Sequence, residues 1–265
     1  MIVAAAVGLG LLVGLSLGAL GGGGSILTVP ALVYVIGQDA RAATTSSLFI
    51  VGISSVIAAL GHARSGRVRW GVGVVFGATG IAAGFAGTAA NQLVDPDVLL
   101  LAFAGVILLA AGGMLAKGRG SDADERADRR PEGEPSQGWT AGRIGKVVVA
   151  GLVVGFMTGF FGVGGGFVIV PALTLALGMS MPLAVGTSLV VISINSAGAL
   201  LARAGTAHFD WTVIVPFTLA AIAGSLAGKR VADRVSGAAL TRAFAVLLIA
   251  VAVYTAASSL ISLLG

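Results

Sequence analysis

Apolar residues run along this chain in long blocks, at roughly residues 2–20, 25–37, 43–61, 70–91 and 97–116, and again at 144–161, 166–178, 183–202, 211–228 and 239–264. Most are long enough to cross a hydrocarbon core of about 30 Å as helices rising 1.5 Å per residue. The blocks at 25–37 and 166–178 fall short, since about 13 residues reach only about 20 Å. Each short block follows a Gly-rich break. Non-helical backbone is tolerated at membrane depth only where protein or a water-filled cavity satisfies its polar groups. The pattern therefore predicts an all-α integral membrane protein with two broken helix pairs.

The blocks also repeat. LGALGGGGSILTVPAL at 17–32 aligns with TGFFGVGGGFVIVPAL at 158–173 at an offset of 141. The same offset, without a gap, pairs Gly37 with Gly178, Ser47 with Ser188, Ser55 with Ser196, Trp70 with Trp211 and Gly87 with Gly228. Gly- and Ala-rich helices match by chance, but paired prolines and tryptophans in one ungapped run argue for duplication. Between the copies, Lys117 to Arg143 holds six acids, six bases and two prolines with almost nothing apolar, the composition of a solvated, disordered linker. The expected organisation is a first transmembrane repeat at 1–116, a charged linker at 117–143 and a second repeat at 144–265.

Composition strengthens the membrane reading. Mean hydropathy is +1.02, and only 10% of residues are charged, against about a quarter in soluble domains. The net charge of +5 does not indicate nucleic acid, because the basic residues sit in short segments between apolar blocks, where topology determinants belong. Residues 2–20 resemble a signal peptide, but they lack a basic start and flow into the repeated Gly-rich turn, so they read as mature structure. With no cysteine and only His62 and His208, neither a disulfide nor a metal centre is expected, and no cofactor or catalytic residue is indicated.

Charge also speaks to orientation. Arg64, Arg67 and Arg69 lie between the third and fourth blocks, and Asp95 and Asp97 follow the fourth. In the second half the bias swaps: Arg203, His208 and Asp210 come first, and Lys229, Arg230, Arg234 and Arg242 follow. By the positive-inside rule the halves face opposite ways and the linker is cytoplasmic. The expected fold is two inverted repeats, each a Gly-rich broken helix pair plus three transmembrane helices. A plain count of four spans per half would give parallel repeats instead.

The broken pairs carry the candidate chemistry. Glycine lets backbone N–H groups approach a ligand, and a helix start presents free amides and partial positive charge to an anion. Gly21, Gly22, Gly23, Gly24 and Ser25, with Gly162, Gly164, Gly165 and Gly166, are candidate substrate-binding positions; the plainer reading is close helix packing. A dinucleotide fingerprint is excluded by the uninterrupted membrane-type surroundings. Pro30 and Pro171 sit at matching places in the short helices, as gates or simple kinks. Thr45, Ser46 and Ser47 match Gly186, Thr187 and Ser188 at the next helix starts, where hydroxyls complete an oxyanion site or merely cap and back-bond. Asn195, deep in an apolar run, either touches substrate or joins two helices. His62 and Arg203 hold matching places at helix ends, where snorkelling is the simplest role for Arg203. Outside the linker the acids are Asp39, Asp95, Asp97, Asp210 and Asp233, all near helix ends, so no carboxylate is available within the membrane for cation coupling.

These residues carry a resemblance. GGGGSILTVPAL and GVGGGFVIVPAL, each trailed by an Ala- and hydroxyl-rich helix start (RAATTSSL, PLAVGTSL), are similar to the sulfite exporter TauE/SafE family, also called the toluene-sulfonate uptake permeases. The likeness covers nearly the whole chain except the linker. It implies transport of sulfur-containing oxyanions, such as sulfite or organosulfonates, across the inner cell membrane. Ser25 stands where the second copy has Gly166, which does not contradict membership.

The sequence therefore reads as a carrier for a small anion, with an anion channel as the alternative and a membrane enzyme a poorer third. Expected partners are the lipid bilayer and a small oxyanion, with no nucleic acid; homo-oligomerisation is compatible with the sequence but not indicated by it.

Overall fold

The computed structural model describes residues 2–94, 96–118, 141–161, 166–203 and 209–264, and every element among them is a helix. The first half comprises α1 (Ile2–Leu20), α2 (Gly23–Pro30), α3 (Ala40–Ala63), α4 (Trp70–Asn91) and α5 (Pro96–Gly118). The second comprises α6 (Ala141–Phe161), α7 (Gly166–Pro171), α8 (Met181–Ala202), α9 (Trp211–Arg234) and α10 (Gly237–Leu264). The predicted apolar blocks reappear as these helices with ends displaced by a few residues. Seven of the described helices are long and apolar enough to cross a membrane. Residues 119–140 of the charged linker lie outside the described residues, as do Asp95, His208 and Gly162, Gly164 and Gly165 of the second Gly-rich break.

Both short helices stop for the same reason. Proline lacks the N–H that continues the ladder and its ring displaces the carbonyl four residues back. At Pro30 and Pro171 the chain answers by widening into five-residue π-helical turns, Ala31–Val35 and Ala172–Ala176. Ile36 N–H donates to the Ala31 carbonyl at 3.2 Å, and Leu177 N–H to that of Ala172 at 3.3 Å. The next bonds, Gln38 to Leu32 and Met179 to Leu173, are both 3.0 Å. The second set repeats the first at the 141 offset. Asp39 then caps α3 by accepting from the Arg41 and Ala42 amides.

Each half packs on the other through small residues. α1 lies along α9 in parallel, with Gly10, Gly14 and Gly18 against the backbone of Phe217, Ala221 and Ser225. α6 lies along α4 in the same way, with Gly151, Gly155 and Gly159 against Phe76, Gly80 and Gly84. These six pairs interchange under the 141 offset. A Cβ on any of the six α1 and α6 glycines would crowd a carbonyl of the facing helix, so the small side chains set the interhelix distance. α3 and α8 instead run antiparallel: Arg203 meets Thr45, Ser196 meets Gly52, and Gly186 meets His62. α5 and α10 pack together and complete the exchange.

The outer surface is apolar. Leu109, Leu219 and Val246 are 78%, 64% and 63% exposed. A belt of that kind fits lipid and not water.

Candidate functional site

The end of α1 gathers candidate residues from both halves. Gly21 ends α1 in the left-handed region, φ +70°, and donates its N–H to the Leu17 carbonyl. That conformation favours glycine. A Cβ there would also collide with Ser188 Oγ and crowd Val185. Thr187 and Ser188, in the first turns of α8, are fully buried. The Arg69 N–H donates to Thr187 Oγ1 at 3.1 Å, and Ser188 Oγ donates back to the Val185 carbonyl at 2.8 Å. His62 completes the group, buried between Gly18 and Gly186. Above it lies an ion-pair cluster. Arg67 Nη1 is 2.6 Å from Asp233 Oδ1, and Lys229 Nζ is 2.5 Å from Asp233 Oδ2 and 2.8 Å from Ser65 Oγ. Two cations share one carboxylate, so this end is electropositive.

The matching residues of α3 lie at the other end. Thr45 Oγ1 donates to the Arg41 carbonyl and sits 3.5 Å from Arg203 Nη1. Ser46 is fully buried with Oγ unpartnered among the described residues, and Ser47 Oγ donates to the Thr44 carbonyl at 2.7 Å. Phe49, Phe209 and Trp211 cluster beside them, with centroids 5.3 to 6.1 Å apart. Roughly 24 Å of helix separates Ser46 from His62. The two hydroxyl sets therefore form two stations, one at each end of the α3–α8 pair, and do not meet in one site.

The third place is the junction of α2 and α7. Gly22 packs on the Gly166 backbone, and a Cβ on Gly166 would collide with Ser25 Oγ, which donates to the Gly22 carbonyl at 2.8 Å. Ser25 and Gly166 are partners at the 141 offset, so equivalent positions of the two halves touch here. Gly23 and Gly24 have packing neighbours, Leu247 of α10 and the Val13–Leu17 stretch of α1. Pro30 is exposed and Pro171 buried. Asn195 lies near Gly80 of α4, its Oδ1 buried and unpartnered among the described residues. Sequence reasoning missed the cluster around Asp233 and the place of His62. The signal was faint: a lone acid among the basic residues that end one helix and a histidine at the end of another.

A family model described as sulfite exporter TauE/SafE matches residues 6–255. The chain belongs to the sulfite exporter TauE/SafE family. A probable membrane transporter protein of Xylella fastidiosa (strain 9a5c) is 35% identical over 252 residues, covering 94% of this chain and 92% of the relative. Probable membrane transporter protein MJ0441 of Methanocaldococcus jannaschii is 30% identical over 198 residues, or 72% and 68%. Probable membrane transporter protein YunE of Bacillus subtilis is 24% identical over 247 residues, or 88% and 86%. No solved structure matches. The resemblance read from the duplicated Gly-rich motif is thus borne out. This TauE/SafE member is a multi-pass membrane transporter.

Proposed function

We propose that the protein carries a small sulfur oxyanion, sulfite or an organosulfonate, across the inner cell membrane by alternating access between two inverted repeats. The observation that supports this most is the end of α1. The glycine break of one half lies against the hydroxyl-bearing helix start of the other, beneath an electropositive cluster. An oxyanion needs several donors and no full neutralisation; on this reading the Ser188 hydroxyl turns from the Val185 carbonyl to the anion, and the Thr187 hydroxyl and helix-start amides join it. The pseudo-equivalent station beside Thr45, Ser46 and Ser47, at the other end of α3, supplies the second half of a transport cycle. Motion at the Pro30 and Pro171 turns exposes one station and then the other. The antiparallel run of α3 and α8 supports inversion of the repeats.

The test is a binding screen of purified protein with sulfite, sulfate, thiosulfate and small sulfonates, read as thermal stabilisation. A sulfite or sulfonate shift that shrinks in Ser188→Ala is the expected result. No shift with any of these anions overturns the reading. Counterflow in vesicles then separates a carrier from a channel.

A further inference from the structure

His62 is the one described histidine, the residue type whose ordinary titration falls near neutral pH, and it lies inside the bundle. It is 1% exposed. Its Nε2 lies 2.9 Å from the Gly18 carbonyl oxygen. A carbonyl only accepts, so Nε2 carries the hydrogen and Nδ1 the lone pair. Nδ1 is buried and has no hydrogen-bond partner among the described residues. A buried basic nitrogen without a partner calls for an occupant.

The surroundings define when a proton can sit there. α1 brings the Gly18 carbonyl and no charge. α8 brings Gly186, whose added Cβ would lie 3.2 Å from His62 Cβ, followed at once by Thr187 and Ser188. α9 brings Lys229 and Asp233, and the loop after α3 brings Arg67. Two cations already outnumber the single carboxylate, so an imidazolium would add to an uncompensated positive field. An oxyanion at Gly21, Thr187 and Ser188 reverses that. It cancels the excess charge, and the imidazolium in turn favours the anion. Each raises the affinity of the other by the same factor.

We infer that His62 couples transport to protons: its Nδ1 takes one proton from solution while an oxyanion occupies the α8 station and releases it after the anion leaves on the other side. The Nδ1–H bond forms on one side and breaks on the other, no other bond changes, and one proton crosses with each anion. The inference rests on the oxyanion reading above. It accounts for coupling in a chain whose described membrane interior holds no carboxylate.

The test uses the full chain in proteoliposomes containing a lumenal pH dye, with the potential clamped by potassium and valinomycin. An inward gradient of 2-hydroxyethanesulfonate is imposed, because that anion is fully ionised and carries no proton of its own; sulfite and thiosulfate are run in parallel for uptake alone. Wild type is expected to take up sulfonate and acidify the lumen, about one proton per anion. His62→Gln keeps a donor for the Gly18 carbonyl, and the acidification per sulfonate taken up, at whatever rate uptake runs, should fall at least tenfold. Sulfonate uptake by wild type without acidification overturns coupling and leaves the oxyanion reading standing, whether or not the variant folds. Undiminished acidification in His62→Gln also overturns the assignment. Uptake of none of the three anions by wild type overturns the oxyanion reading and the coupling with it.

Discussion

At the residue scale, the glycines of this chain do two different jobs. Gly14 and Gly155 admit a facing helix, so Gly14→Leu or Gly155→Leu must force apart α1 and α9 or α4 and α6. Overpacking of this kind costs about 1–3 kcal/mol, and a lowered melting temperature in detergent checks it. Gly105, with nothing within 4 Å of an added Cβ, is the control: Gly105→Ala should leave the melt unchanged or slightly raised. Gly21 needs its freedom for a different reason, its positive φ at the end of α1. Asp233→Asn removes both ion pairs of the cluster, but these groups are partly exposed. Pairs of that kind contribute under about 1 kcal/mol, so the variant should melt within a few degrees of wild type, which the same scan measures. The hydroxyls were only half legible. Their presence at helix starts could be read, yet Ser25, Ser47 and Ser188 all spend a bond on their own helix. A hydroxyl that back-bonds and one that faces a ligand look alike in sequence.

At the element scale, the helices followed from apolar block length alone, and the short pair from the Gly-rich breaks. The π-turns after Pro30 and Pro171 did not, because a missing N–H predicts a defect without saying whether the chain kinks or widens. Pro30→Ala and Pro171→Ala restore the donor and should close those turns into continuous helix. Both variants should fold normally and transport several-fold more slowly, measured as initial oxyanion uptake alongside the melt; unchanged uptake would assign the prolines to shape only. Which helices touch was not readable. Gly10, Gly14 and Gly18 show a small-residue stripe at every fourth position, but nothing in one chain names Phe217, Ala221 and Ser225 as the surface that receives it. The same gap hid the 24 Å or so between the two hydroxyl sets, which sequence reasoning had placed in one site.

At the scale of the whole molecule, alternating access depends on how the two halves are turned. The contacts of α1 with α9 and of α6 with α4 match at the 141 offset, although the offset alone did not say which helices would meet. Arg67 pairing with Asp233 places the basic loop after α3 beside the basic end of α9; on the inverted-repeat reading the positive-inside rule puts both on the cytoplasmic side. The chain has no cysteine, so single cysteines can report sidedness without a background. The decisive measurement is labelling of Arg64→Cys, Ser236→Cys, Leu93→Cys and Phe209→Cys in sealed vesicles with a membrane-impermeant maleimide. Labelling of Arg64→Cys and Ser236→Cys from one face, and of Leu93→Cys and Phe209→Cys from the other, is the predicted result. Arg64→Cys and Phe209→Cys reacting from the same face would contradict it, since parallel halves cannot present their stations to opposite sides.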